Sequence, residues 1–128
     1  MKVLIAEDSP LVADRLVELL SELEHVEIIG PVANGHQALQ FFREFRPAVV
    51  LLDLQMPGRN GLETLIEIRK LDAACAVVML TNYDLPEFRA ACHHAGADFF
   101  LRKSAEFERA VEIVRELADE PAPLSHLR

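Results

Sequence analysis

Apolar runs alternate with amphipathic segments along the whole chain. Five of the runs have the length and the apolar content of β-strands; they are Lys2–Ala6, Val26–Ala33, Ala48–Leu52, Ala76–Leu80 and Ala97–Leu101. After each run, apolar residues recur every three or four positions, as they do on the buried face of a helix. Five repeats of strand then helix predict an α/β fold, with a doubly wound, five-stranded parallel sheet and helices on both faces.

The runs differ in ways that place them in the sheet. Ala48–Leu52 is continuously apolar, as expected of a central strand that is covered on both faces. Pro31 interrupts the second run, and a proline inside a strand favours a sheet edge or a bulge. Polar residues suited to capping predict helix starts; they are Ser9 before Pro10, Asn34, Asp84 with Glu87, and Ser104 before the last helix.

Length, charge and cysteine content narrow the class of protein. The 128 residues suit one domain, predicted at residues 1–120 with a C-terminal tail at 121–128. The net charge of −8 argues against nucleic acid as a direct partner, because phosphate backbones are bound by clustered lysine and arginine. No run approaches the ~18 apolar residues of a membrane span, and no N-terminal signal is visible. Cys75 and Cys92 are expected to be free and buried, so we expect a cytoplasmic protein.

The predicted strands end at residues suited to phosphate chemistry. Glu7 and Asp8 follow the first strand, Asp53 the third, Thr81 the fourth and Lys103 the fifth. The carboxyl ends of parallel strands meet at one edge of a sheet, where ligands bind. Three carboxylates in one crevice repel one another unless a cation joins them, and oxygen ligands of this kind suit Mg²⁺. Aspartate can form an aspartyl phosphate, so Asp53 is the candidate nucleophile, with Thr81 and Lys103 placed to contact the phosphoryl oxygens.

This set of residues resembles the receiver domain of two-component response regulators, the CheY-like family with a flavodoxin-like fold. The resemblance covers about Lys2 to Ala118, and its motifs are Glu7-Asp8, Asp53-Leu54-Gln55-Met56-Pro57 with Gly61, Thr81, and Lys103. It implies that a sensor histidine kinase or a histidine phosphotransfer protein donates a phosphoryl group to Asp53. It also implies that Mg²⁺ is held by Asp8, Asp53 and the backbone carbonyl of Gln55, with Glu7 assisting through water or directly.

The resemblance further implies a conformational switch. Thr81 would move towards the phosphoryl group and Phe100 would turn inward, changing the binding of a downstream protein to the face formed by helix four, strand five and helix five. Gln55 and Tyr83 occupy positions that influence how water reaches the phosphoryl group. The chain departs from the family at Ser104, because many relatives have proline directly after the lysine.

Three functions remain open on the sequence alone. The first is a stand-alone receiver, which acts as a phosphoacceptor switch and not as an enzyme. The second is the isolated receiver of a longer regulator whose output domain is not included. The third is a phosphatase or phosphotransferase with an aspartate nucleophile, but such enzymes commonly need a second aspartate two residues further on, where this chain has Gln55.

Overall fold

Strands and helices alternate through the whole described part of the chain. The structure is a computed structural model that describes residues 1–58, 60–83 and 85–119, so the predicted tail at 121–128 lies outside the described residues. The elements in chain order are β1 Lys2–Ala6, α1 Pro10–Leu20, β2 Glu27–Val32, α2 Gly35–Phe45, β3 Val49–Asp53, α3 Gly61–Leu71, β4 Ala76–Thr81, α4 Pro86–His94, β5 Phe99–Arg102 and α5 Lys103–Asp119. The five strands are parallel in the order β2-β1-β3-β4-β5. The predicted fold class is therefore confirmed.

The strand positions follow from the pattern of apolar residues. All residues of β3 are buried, and β3 lies in the centre of the sheet, as its continuous apolar run predicted. The strand β2 lies at an edge, and its register with β1 shifts between Leu4 and Ala6. Gly30 has a φ of +93°, and a Cβ atom there would lie only 3.0 Å from the carbonyl oxygen of Ile5. The interruption at Gly30-Pro31 thus coincides with an irregular sheet edge, as predicted.

Two separate hydrophobic layers cover the two faces of the sheet. Phe42, Leu65 and Cys92 bring α2, α3 and α4 onto one face. Leu16 and Ile113 bring α1 and α5 onto the other. Successive side chains of β3 pack alternately into one layer and the other, because side chains along a strand point to opposite faces. Cys75 and Cys92 are both buried and free, as predicted.

Two helix starts differ from the prediction. The helix α4 begins at Pro86 with Leu85 as its N-cap, because proline suits the first helical position, while Asp84 itself lies outside the described residues. Ser104 does not cap α5, because β5 continues to Arg102 and the helix follows at once from Lys103. Glu106 takes the capping role there, since its Oε1 accepts the Arg102 N–H at 3.1 Å. None of the helices in the described ranges is long and apolar enough to cross a membrane.

Candidate functional site

The carboxyl ends of β1, β3, β4 and β5 form a single crevice. In the sheet, Asp53 pairs with Leu80 and Thr81 pairs with Arg102, so the residues that end these strands are neighbours. A pocket of about 260 Å³ opens there, lined by Asp8, Ser9, Asp53, Gln55, Asn82, Tyr83 and Lys103. Thus the predicted residues that follow separate strands do converge at one edge of the sheet.

Glu7, Asp8 and Asp53 form a cluster of carboxylates. One oxygen from each lies within 4.8 Å of the others. Asp8 is exposed, but Glu7 and Asp53 are only 2% and 1% exposed. Although both are buried, Glu7 Oε1 and Asp53 Oδ2 accept no hydrogen bond, and buried acceptors without a partner are costly. These oxygens suit a hard divalent cation, so the donor set fits Mg²⁺.

Backbone amides hold the other oxygens of the two buried carboxylates. Ser9 N–H donates to Glu7 Oε2 at 2.9 Å, and Gln55 N–H donates to Asp53 Oδ1 at 3.1 Å. Both bonds come from loops that directly follow a strand. The chain therefore orients Asp53 so that Oδ2 is the oxygen left without a hydrogen bond.

Lys103 is the cation of the crevice. Its Nζ donates to Glu7 Oε2 at 2.9 Å and lies 3.1 Å from Asp53 Oδ2, in an ion-pair contact that is not aligned as a hydrogen bond. Burial acts to lower the pKa of Lys103, but the hydrogen bond to Glu7 and the charges of Asp53 and Glu7 outweigh it, so the pKa is raised. Lys103 is therefore charged at neutral pH.

The pKa of Asp53 is raised to about 7. Burial is the largest cause, followed by a hydrogen bond with Asp8 and the negative charge of Glu7, while Lys103 and the Gln55 N–H act in the opposite direction. One ammonium thus fails to balance three carboxylates. An added cation would favour the ionised form of Asp53, which is the nucleophilic form.

Thr81 is fully buried at the end of β4, and its hydroxyl is already engaged. Its Oγ1 accepts the N–H of Tyr83 at 2.9 Å and lies 3.4 Å from the carbonyl oxygen of Tyr83. The side chain of Tyr83 is half exposed and lines the pocket together with Gln55. The loop after β4 therefore holds the hydroxyl that the sequence assigned to phosphoryl binding.

Phe100 lies outside the crevice, further back along β5. It is half buried and packs against the hydrophobic layer beneath α4. The guanidinium carbon of Arg89 lies 4.7 Å from the centre of its ring, and Arg89 Nη1 is 3.5 Å from the Phe100 carbonyl oxygen. Both residues line a groove of about 460 Å³ between α4 and β5. Sequence reasoning missed Arg89, because an arginine on a helix surface carries no local signal of a ring contact.

Sequence reasoning also missed Glu106. It assigned the capping of α5 to Ser104, which is exposed, whereas Glu106 makes the contact with Arg102. The signal that was available is an acidic residue in the first turn of the last helix, where a carboxylate can reach back to an N–H.

Comparison with known proteins gives the family. A family model of the response regulator receiver domain matches residues 3–115. The response regulator GacA of Pseudomonas aeruginosa is 31% identical over 117 residues, which cover 91% of this chain and 55% of that protein. The chemotaxis protein CheY of Halobacterium salinarum is 29% identical over 116 residues, which cover 91% of this chain and 95% of that protein.

A solved structure agrees with this relationship. The DNA-binding response regulator of the LuxR family from Staphylococcus aureus superposes with a TM-score of 0.83 at 30% identity, covering 92% of this chain and 98% of that chain. The chain spans about half the length of the first curated relatives that it matches. With the strand order and the crevice as described, the protein belongs to the receiver domain family of two-component response regulators.

Proposed function

We propose that this receiver domain accepts a phosphoryl group on Asp53 and that the modification changes its binding to a downstream protein. The observation that carries the proposal is the state of one oxygen. Asp53 Oδ2 is buried, lacks a hydrogen bond and lies 3.1 Å from a charged ammonium, in a residue that lines an open pocket. An oxygen so placed is a nucleophile with a partner for the incoming charge beside it.

The phosphoryl donor is a phosphohistidine of a sensor histidine kinase or of a histidine phosphotransfer protein. In the transfer, Asp53 Oδ2 forms a bond to phosphorus while the phosphorus–nitrogen bond of the donor breaks. The donor imidazole takes the electron pair of that bond and leaves as the neutral ring, because its other nitrogen already carries a proton. Lys103, held by Glu7, is placed to neutralise a phosphoryl oxygen. Asp8, Asp53 and the backbone carbonyl of Gln55 would hold Mg²⁺, with Glu7 assisting. When bound, Mg²⁺ would neutralise carboxylate and phosphoryl charge together.

The signal is passed on through Thr81 and Phe100. To donate to the phosphoryl group, the Thr81 hydroxyl must turn its hydrogen away from the Tyr83 carbonyl oxygen, and the movement proposed for Thr81 would carry its oxygen away from the Tyr83 N–H. The freed loop leads directly to α4, and Phe100 lies between the hydrophobic layer and the groove beside that helix. A downstream protein would read the change at the face formed by α4, β5 and α5.

Water access to the phosphoryl group sets the lifetime of the signal. Tyr83 lines the pocket and is half exposed, so its ring can cover the phosphoryl group. Gln55, also at the pocket, can position a water through its amide, and the two residues therefore act in opposite directions. We expect shielding by Tyr83 to prevail, because in-line attack needs water in one narrow direction.

We propose a switch and not an enzyme. Gln55 stands where an aspartate-nucleophile phosphatase or phosphotransferase needs a carboxylic acid, and an amide cannot donate that proton. The net charge of −8 disfavours direct contact with nucleic acid, so the output is a protein partner in the cytoplasm. The relatives include both arrangements, since the chain covers 95% of the chemotaxis protein CheY of Halobacterium salinarum and 55% of the response regulator GacA, so a single-domain regulator and the receiver of a longer regulator both stay open.

The test is phosphate uptake at one residue. The protein is treated with acetyl phosphate and Mg²⁺, and the intact mass is measured for wild type, Asp53→Ala and Asp14→Ala. Wild type and Asp14→Ala, whose change is on the exposed side of α1, should gain one phosphoryl group and Asp53→Ala none. Equal uptake by wild type and Asp53→Ala would contradict the assignment.

A further inference from the structure

The turn that carries Lys103 has an unusual construction. The strand β5 ends at Arg102, and a short helical piece begins at the next residue and meets the rest of α5 in a kink at Glu106. Glu106, in the first turn of α5, has non-helical backbone angles of φ −125° and ψ 21°. Its carboxylate reaches back and accepts the N–H of Arg102 at 3.1 Å. The kink and the hydrogen bond thus belong to the same residue, which closes the first turn around Lys103.

This arrangement is offset from the usual capping pattern. In a capping box, the acid that accepts the N-cap N–H stands three residues after the cap. Here Arg102 precedes the first helical residue, Lys103, and Glu106 stands four residues after Arg102. The spacing is thus one residue longer than in a capping box, and the backbone angles of Glu106 itself are not helical. Helix α5 then continues on its buried residues Ala110, Ile113 and Val114.

The position of Lys103 depends on this turn. On one side, Arg102 pairs with Thr81 of β4, and on the other its N–H is held by Glu106. From there the Lys103 side chain, only 9% exposed, extends to Glu7 and Asp53 with contacts of 2.9 and 3.1 Å. Ser104 next to it is exposed and leaves φ unrestricted, so it adds no rigidity.

We propose that Glu106 is a positioning residue for Lys103. By tying the Arg102 N–H into the first turn of α5, it fixes the backbone from which the lysine reaches the phosphoryl acceptor. The inference rests on the proposed function, because that function gives Lys103 its role. A displacement of the ammonium by about an ångström removes an interaction that must be in place when charge develops on the phosphoryl group.

A capping role alone would have a different signature. A side chain that only stabilises α5 would change the midpoint of thermal unfolding and leave the Lys103 ammonium where it is. A positioning residue moves Lys103 relative to Glu7 and Asp53 in the folded protein. The decisive measurement therefore observes Lys103 directly, in protein that is fully folded at the temperature of the experiment.

The first part of the test needs neither metal nor phosphate. Glu106→Ala, Glu106→Gln and the control Glu108→Ala, at an exposed position on the same helix, are compared with wild type by NMR. We expect amide hydrogen exchange at Arg102 to become about fivefold faster in Glu106→Ala, while the amide oxygen of Glu106→Gln largely preserves protection. The side-chain methylene signals of Lys103, assigned by their loss in Lys103→Met, should move in Glu106→Ala and stay in place in Glu108→Ala.

The second part measures phosphorylation by acetyl phosphate with Mg²⁺. Glu106→Ala should react about fivefold more slowly than wild type, which corresponds to ~1 kcal/mol, and Glu106→Gln should recover most of the rate. Lys103 signals that do not move, or a Glu106→Ala rate equal to that of Glu108→Ala, would overturn the inference and leave the proposed function intact. If wild type itself takes up no phosphate, the proposed function fails and the inference fails with it.

Discussion

Removing the charge of Asp53 is expected to stabilise the metal-free protein at neutral and higher pH. The pKa of Asp53 is raised to about 7, chiefly by burial and then by Asp8 and Glu7, whereas its ordinary value is 3.8. Between these two values the folded protein binds more protons than the unfolded chain. Its stability therefore falls as the pH rises through this window, and the full penalty is present above about pH 7.

The magnitude follows from the gap between the two pKa values. At about 1.4 kcal/mol for each tenfold change in proton affinity, the gap corresponds to about 4 kcal/mol. Because the side chains of Asp8 and Glu7 contribute to the raised pKa of Asp53, part of this free energy belongs to the cluster of carboxylates, and we expect about 2–4 kcal/mol. Asp53→Asn carries no charge at this position, so its free energy of unfolding should not fall as the pH rises through this range. Near pH 8 its midpoint of thermal unfolding should therefore be higher than that of wild type by roughly 10 °C.

Urea denaturation in the presence of a chelator, from about pH 5 to about pH 8, measures this difference. Histidines titrate in the same range, so the informative quantity is the free energy of unfolding of Asp53→Asn minus that of wild type at each pH. Glu112→Gln, at an exposed position on α5, controls for the loss of one negative charge. Mg²⁺ should restore stability to wild type more than to Asp53→Asn, because it binds the folded state. Parallel pH profiles for wild type and Asp53→Asn would refute the reasoning.

Three further predictions concern the residues around Asp53. Asp8→Asn should weaken Mg²⁺ binding by about tenfold or more, because it removes a carboxylate of the cluster; a metal titration that gave the same affinity as Glu112→Gln would exclude Asp8 from the site. Thr81→Ala should still accept phosphate, but only part of its population should change to the switched conformation. NMR spectra of phosphorylated Thr81→Ala that matched those of phosphorylated wild type on α4 and β5 would contradict this. Tyr83→Ala should lose its phosphoryl group faster than wild type, in Mg²⁺ and without kinase, because the ring no longer shields it from water. An unchanged or slower loss would instead direct attention to Tyr83 as a partner contact.

The strands that carry the site, and the residues that follow them, were predictable because both depend on patterns that are local in the sequence. A strand can be read from a few apolar residues, and the residue that follows it can be read directly. The topological rule for parallel sheets then brings the strand ends to one edge. This is why Asp53 and Lys103, which are 50 positions apart in the chain, were expected in one crevice, and the structure does bring them within 3.1 Å.

The remaining features depend on side-chain conformation and on distant neighbours. The stacking of Arg89 on Phe100 requires that α4 lies beside β5 and that the Arg89 side chain adopts the rotamer that reaches the ring. The choice of Glu106 over Ser104 as the cap depends on β5 continuing to Arg102, and strand ends are uncertain by a residue or two from sequence alone. The hydrogen bond from the Tyr83 N–H to the Thr81 hydroxyl depends on the path of the loop after β4. The spacing of apolar residues predicts helices and strands, but it does not predict the path of a loop.

These side-chain contacts limit how far phosphorylation can shift the protein. Two new charge-assisted hydrogen bonds, from Thr81 and Lys103 to the phosphoryl group, would be worth about 3–6 kcal/mol if nothing were lost. However, Thr81 would leave the N–H of Tyr83 when it moves towards the phosphoryl group, and Lys103 already donates to the carboxylate of Glu7. The first exchange gives up about 0.5–1.5 kcal/mol, and the second replaces one charged acceptor by another, so it gains little.

The net gain is then about 0–2.5 kcal/mol, whereas moving a population from about 1:99 to about 99:1 takes about 5.5 kcal/mol. The contact of Arg89 with the Phe100 ring opposes the inward turn by a further ~0.5–1 kcal/mol, as for an exposed cation–π pair. We therefore expect phosphorylation alone to leave a mixture of the two states. If a downstream protein binds the shifted form, as proposed above, its binding would supply the difference. Phosphorylated protein should then bind the partner more tightly, and the bound partner should in turn favour the phosphorylated form.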